Sequence, residues 1–425
     1  MTIVMTPPSV LSSPQRRCQV LLLLALPGQS VTTEIIRAMN GVDEEVARQD
    51  IADTGHEIQR YHRLTIASQQ DGSYRIEGTT LDQRLCLLHW LRRGLRLCPQ
   101  FIAQHYAPGL KAALKQQGVA RTLYDDTNLR ALINLCARRL ERSFESRDIQ
   151  FLRLYLQYCL LQSHAGFSPI FNPVQHAWTQ MRAEYAAARE IVRHWQRRVA
   201  ALPPEGEHAF LSLLFMMLRI PDPLNDRHQQ DRRLQQAIAR MITRFRTLAG
   251  LRFSDEKGLT DQLYIHIAQA LDRNLFGIGI DDSLQEEVFR LYPRLVRTTR
   301  DALQVVEKEY ALRFSDEETG LVAVIFGAWL MQEADLHEKQ VVLLTGDEPG
   351  REQEIEGQLR ELTLLPLNIK YLPLQEFQKH GAPRDATLII TPYATPLPLF
   401  SAPLIHADRP LTGHQQQHIR DMLEA

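Results

Sequence analysis

Residues 263–273 read LYIHIAQALDR, a run whose apolar positions recur at helical spacing around a single histidine, His266. The run has a counterpart upstream. Sliding the chain by 111 residues, the difference between 263 and 152, lays Leu152 on Leu263, Leu156 on Ile267 and Leu160 on Leu271. The same shift lays Gly166 on Gly277, Glu207 on Glu318 and Phe215 on Phe326, and apolar positions between these mostly stay apolar. Self-similarity at a fixed offset is the mark of duplication, so two copies of one helical bundle are expected in succession.

Outward from the repeat, residues 81–335 read almost wholly as amphipathic helices. Breaks fall at Pro99, Pro108-Gly109, Gly118, 166–173, Pro203-Pro204, 221–223, Gly250, 277–283 and 314–316. Ahead of them, residues 15–25, 31–39 and 43–61 read as helices, the last capped by Asp43. Short strands at 64–68 and 73–77 flank Asp71-Gly72, a hairpin turn signal. That order predicts a winged helix-turn-helix. Beyond the repeat, apolar strands at 341–344, 368–372 and 386–391 alternate with helices at 352–362, 374–380 and from 412, predicting a small parallel α/β domain. The expected fold is therefore mainly α and multidomain: a flexible tail (1–14), a winged helix-turn-helix (15–80), a second helical, helix-turn-helix-like segment (81–135), two bundles (136–245 and 246–337) and the α/β domain (338–425).

Composition sets limits on function. The chain has 425 residues, 44% hydrophobic and 23% charged, with 21 Gly and 22 Pro, which is the usage of an ordinary globular protein. Lys plus Arg number 49 against 50 Asp plus Glu, so a nucleic-acid contact needs a local basic patch. Five cysteines, Cys18, Cys86, Cys98, Cys136 and Cys159, form no C-x-x-C pair; a disulfide framework and a zinc ribbon are both disfavoured, and a reducing cytoplasm is expected. The apolar run 20–26 behind Arg16 and Arg17 is short of a membrane span and reads as a buried first helix. No H-E-x-x-H, G-x-S-x-G, G-x-G-x-x-G or Walker pattern occurs, so no enzyme activity, cofactor or metal is expected.

The helix-turn-helix order, the duplicated bundle and the α/β tail together resemble the bacterial sugar-operon regulators built on phosphotransferase-system regulation domains, or PRDs. The frame around His266, the segment 291–293 (LYP), the stretch 314–320 (FSDEETG), Asn172-Pro173 and Glu207 carry the resemblance. It implies all-α PRD bundles, a cytoplasmic homodimer, duplex DNA as a partner, and phosphorylation by HPr or another phosphotransferase-system protein. The family's pattern offers two phosphorylatable histidines per bundle. Here His266 is retained, while the other three positions hold Tyr155, Leu214 and Ile325. Leu and Ile cannot take a phosphoryl group, and a phenol with a pKa near 10 is a poor substitute for imidazole.

The residues by themselves leave two readings of His266, a structural histidine at a helix seam or a phosphoacceptor. Arg273, two helical turns on, reads either as a counter-charge or as a surface arginine. The nucleic-acid candidates are Arg48 and Arg60 on the expected recognition helix, with Arg92, Arg93 and Arg96 beyond it. Residues 43–61 carry six acids and two arginines, a poor charge for approaching phosphates, whereas residues 81–150 carry twelve Lys or Arg against six acids. The tail resembles the IIB domain of sugar transporters, whose nucleophile is a cysteine after the first strand. The loop 344–350 reads LTGDEPG, and no cysteine follows Cys159, so IIB phosphotransfer is disfavoured. Two readings remain: a PRD transcriptional regulator controlled through His266, or an interaction protein that has lost phosphorylation and DNA binding.

Overall fold

The computed structural model describes residues 11–197, 204–280, 285–333, 339–346, 350–364, 367–396 and 402–424. Most of the expected tail at 1–14, Pro203, residues 281–283 and the acidic pair Asp347 and Glu348 lie outside them. The chain divides into two compact units. The first holds residues up to Arg219 with Phe276–Gly279; the second holds Ile220–Leu275 and residues from Ile280 on.

The first unit begins with α1 (Ser13–Leu24), β1 (Val31–Thr32), α2 (Thr33–Asn40), α3 (Glu44–His62), β2 (Thr65–Ser68) and β3 (Ser73–Glu77). A capping box starts α1, with Gln15 Oε1 accepting the Ser12 N–H at 2.9 Å. The helix then buries every residue from Cys18 to Leu23. Six successive buried residues go round the whole helix and make its second half a core helix, and twelve residues in all fall short of a membrane span. Asp43 caps α3 by accepting the Val46 N–H at 2.8 Å. Beyond it, Gly72 supplies the positive φ of the hairpin turn, +77°, beside Asp71, which accepts from Ser73.

One expectation fails here. Residues 31–39 are not all helix: Val31, 2% exposed, pairs across an antiparallel ladder with Tyr74, giving a sheet of order β1-β3-β2. Thr32 then accepts the Ile35 N–H, so the helix starts only at Thr33.

The unit continues through α4 (Thr80–Leu97), α5 (Pro99–Phe101), a π-turn at Ile102–Tyr106, α6 (Ala107–Gln116) and a 3-10 turn at Arg121–Leu123. The break expected at Pro108-Gly109 does not occur. Pro108 sits in the first turn of α6 after the π-turn, where its missing N–H is tolerated. Five helices form the first bundle: α7 (Asp126–Arg139), α8 (Ser146–His164), α9 (Pro173–Gln180), α10 (Glu184–Gln196) and α11 (Pro204–Met217).

The second unit opens with five helices in the same order, the third again short: α12 (Gln229–Ala249), α13 (Glu256–Phe276), α14 (Gln285–Leu291), α15 (Pro293–Tyr310) and α16 (Asp316–Glu333). The packing repeats too, since α10 lies on α7 and α11 as α15 lies on α12 and α16. Phe245 stacks on Phe326 with ring centroids 3.9 Å apart.

The tail of this unit comprises β4 (Lys339–Thr345), α17 (Arg351–Leu362), β5 (Leu367–Pro373), α18 (Leu374–His380), β6 (Leu388–Thr391), β7 (Leu404–His406) and α19 (Gly413–Glu424). Its strands are all parallel, in the order β5-β4-β6-β7. One face packs Val341, Leu343, Leu388 and Ile390 against Ile355, Leu359, Ile419 and Leu423, and the other packs Val342, Leu344 and Ile389 against Phe377. Burial on both faces explains the unbroken apolar runs of its central strands. The three-residue β7, led in by Pro403, escapes the sequence pattern.

Candidate functional site

In the second bundle, α13 presents His266 to the start of α16. Ser315 caps that helix, its hydroxyl accepting the Glu318 N–H at 3.3 Å. Ser315 and Glu318 have the spacing of a capping box, yet the Glu318 carboxylate turns to α13 instead. Its Oε2 meets His266 Nε2 at 3.1 Å, and Arg273 grips both oxygens, Nε to Oε1 at 2.6 Å and Nη2 to Oε2 at 3.1 Å. Burial pushes Glu318 up, but the hydrogen bonds from His266 and Arg273 outweigh it and hold the carboxyl below its ordinary value. An ionised carboxylate only accepts, so His266 donates its Nε2–H to Glu318, and a neutral ring in this pose has its lone pair on Nδ1. The imidazole is 19% exposed and Glu318 only 5%. Ile325, at the second position of this bundle, is half-buried.

The first bundle keeps the carboxylate and changes everything around it. Glu207 occupies the Glu318 position, Gln162 replaces Arg273, and Gln162 donates to the Tyr158 hydroxyl at 3.2 Å. The cation comes from outside the bundle. Arg84 of α4 makes a two-pronged pair with Glu207, Nη1 to Oε2 at 2.9 Å and Nη2 to Oε1 at 2.8 Å, and also donates to the Phe167 carbonyl at 2.9 Å. Both side chains are wholly buried. Ser163 and Ser168 donate their hydroxyls to Glu207 Oε1, the latter at 2.7 Å, and the guanidinium lies over the Phe210 ring. Burial would lower the guanidinium pKa; the Glu207 charge more than offsets it.

Tyr155 is fully buried with its hydroxyl donating to the Arg84 carbonyl, and burial pushes it well above the ordinary phenol value. Leu214 is likewise fully buried. Arg84 was not singled out as a site residue from sequence. The one available signal is an arginine heading the apolar run 85–91 (LCLLHWL).

The five arginines suggested for nucleic acid differ in their surroundings. Arg93 pairs with Glu57 at 2.6 Å and lies over the Trp90 ring, so its charge is spent inside the unit. Arg48 is exposed and pairs with Glu44 at 2.5 Å. Arg60 is exposed beside Tyr61, Arg92 is exposed near the Phe151 ring, and Arg96 is exposed. The acids of α3 also sort themselves. Asp50 is 2% exposed and held by Arg16 at 2.7 Å, and Glu57 is engaged by Arg93. The outward acids gather at the helix start, Asp43, Glu44 and Glu45, while His56, Gln59 and Arg60 face solvent further along.

In the tail, the Gly346 N–H and the Tyr393 hydroxyl both donate to Glu352 Oε1, at 3.0 and 2.8 Å. The protein's own carboxylate thus takes up donors beside the strand-to-helix turn. Among the described residues no group of three or more His, Cys, Asp or Glu could hold a metal ion, and no helix is long and apolar enough to cross a membrane.

Comparison with known proteins finds matches in both bundles and in the tail. The PRD domain model matches residues 130–217 and again 239–329, and the model of the stationary phase-inducible protein CsiE C-terminal domain matches residues 339–423. The transcriptional regulator ManR of Bacillus subtilis (strain 168) is 21% identical over 343 residues, 78% of this chain and 50% of that protein. The stationary phase-inducible protein CsiE of Escherichia coli (strain K12) is 62% identical over 421 residues, 99% of each chain. Agreement that runs unbroken through both PRD copies and the tail makes this chain a member of the CsiE family of PRD-containing regulators.

Proposed function

We propose that the protein is a cytoplasmic, homodimeric transcriptional regulator whose activity is set by phosphoryl transfer to His266 from HPr or another phosphotransferase-system protein. The observation that carries the reading is the Glu318 carboxylate shared by His266 and Arg273. It fixes the Nε2–H tautomer and leaves Nδ1 as the nucleophile. In the transfer, the P–N bond of the donor histidine breaks as a P–N bond forms at Nδ1; the phosphorylated ring then gives up its Nε2 proton to solvent and the donor imidazole takes one up. The product adds about 1.5 to 2 negative charges next to Glu318. Repulsion between the two anions would then loosen the Arg273 clamp and alter the seam between α13 and α16. The first bundle has no part in this chemistry, because Tyr155 and Leu214 offer no imidazole at its two positions.

The output module is the N-terminal region, read as a winged helix-turn-helix, and the tail is read as an IIB-like fold kept for contacts. A specific observation favours the second reading, in which the N-terminal region binds a partner and not DNA. The start of a recognition helix is the part that enters the groove, and here it carries Asp43, Glu44 and Glu45 outward.

Incubation with the general phosphotransferase proteins and labelled phosphoenolpyruvate should label the parent, leave His266→Ala unlabelled, and label Glu318→Gln about tenfold more slowly or worse because the tautomer is no longer fixed. Equal labelling of His266→Ala and the parent would end the proposal. For the output, binding to random duplex DNA that weakens steeply between low and moderate salt supports the regulator, whereas no binding at any salt supports the interaction module.

A further inference from the structure

The N-terminal helices hold a pair of thiols that the bundle chemistry does not use. Helices α1 and α4 come into close contact at Gly94, where a Cβ would fall 2.9 Å from Leu22 Cδ1 and 3.4 Å from Cys18 Sγ. Cys18 lies one turn before Leu22, and Cys98 one turn beyond Gly94, with its N–H on the Gly94 carbonyl at 2.8 Å. Next to it, Gln15 Nε2 donates to the Leu97 carbonyl at 2.9 Å, fastening the start of α1 to the end of α4. In this corner Cys18 and Cys98 sit on either side of the Gly94 contact, both buried, with the Cys18 thiol donating to the Trp90 carbonyl at 3.6 Å.

Cys98 is unlike the other four thiols. Burial pushes Cys86 up, and Cys136 and Cys159 up to about 12, as expected of inert core thiols. Cys98 goes the other way. The hydrogen bond from Cys18, with Arg93 adding its charge, outweighs the effect of burial, and Cys18 rises in consequence.

We propose that Cys18 and Cys98 form a reversible disulfide, with Cys98 as the attacking sulfur and a hydroperoxide as the oxidant. The Cys98 thiolate attacks one peroxide oxygen, the O–O bond breaks, and for hydrogen peroxide the departing hydroxide takes up a proton to become water. The sulfenic acid on Cys98 is then attacked by Cys18; the S–O bond breaks, and the hydroxyl leaves as water with the Cys18 proton. Two thiols lose two electrons and the peroxide gains them. A thiol reductant reverses the bond by exchange. The link would staple α1 to the end of α4, the helix whose Arg84 closes the first bundle.

The test uses the full-length protein and hydrogen peroxide in near-stoichiometric amount, followed by alkylation, digestion without reductant and mass spectrometry. A peptide pair joined through Cys18 and Cys98, and released by dithiothreitol, is the expected product. In Cys18→Ser, dimedone should trap Cys98 about tenfold more than Cys86, Cys136 or Cys159, the factor one pKa unit gives in thiolate fraction. Parent protein in which Cys18 and Cys98 stay unlinked after peroxide, or a sulfenic acid spread evenly over the five thiols, would overturn the proposal. Should Cys18→Ser lose its native circular dichroism, the peptide map of the parent decides alone.

Discussion

Arg84 shows how far a single side chain can alter the meaning of a duplicated site. It is wholly buried against Glu207, 123 residues away in sequence. Removing one partner of such a pair leaves a bare charge in the interior, so Arg84→Met should cost about 3–5 kcal/mol of stability. Adding Glu207→Leu should recover part of the loss, because an apolar pair of similar volume no longer strands a charge. Urea denaturation of the two variants checks this; a double variant no more stable than the single one would contradict it. His266 and its counterparts Tyr155, Leu214 and Ile325 could be picked out in the sequence because the family frame repeats at a fixed offset. The closure by Arg84 was not legible, since nothing local tells an arginine in an apolar run which distant carboxylate it will meet.

At the scale of elements, the start of α11 is built around the approach of another backbone. A Cβ on Gly206 would lie 2.3 Å from the Pro169 carbonyl oxygen, and that approach sets Ser168 against Glu207. Gly206→Ala should therefore destabilise the first unit by about 1–3 kcal/mol, the usual cost of overpacking, visible as a lower thermal midpoint. Unchanged stability would mean the loop has room to retreat. Most helices, the hairpin and the central parallel strands were readable, because capping residues, turn pairs and apolar periodicity are local signals. The misses share a cause. The two residues of β1 and the three of β7 take their conformation from ladders to Tyr74 and to Ile390, partners that no short window contains. Pro108 misleads in the opposite sense, since the π-turn before it absorbs the missing donor.

For the molecule as a whole, the duplication was evident from sequence, but the unequal fate of the copies depends on packing. Stability should also carry a pH signature from His62. Burial, with His89 and its ring 5.9 Å away adding to it, lowers His62 from 6.5 to about 4. Above about 6.5 the ring is neutral in folded and unfolded chains alike. Between 6.5 and 4 the unfolded chain binds a proton that the folded one refuses, so stability falls as pH drops through that window. Denaturation midpoints at pH 7.5, 6 and 5 should decline less in His62→Gln than in the parent, and parallel declines would remove His62 as the source.

The reach of Arg84 into the first bundle also bears on how such proteins can be taken apart and rebuilt. A fragment starting at residue 130, where the first PRD match begins, would lack the cation on which its innermost acid depends. The second copy, with Arg273 supplied from its own helix, meets that need from within. Of the two, only the second is equipped to be lifted out and grafted elsewhere, and a gene fusion that moves the first must carry α4 along with it.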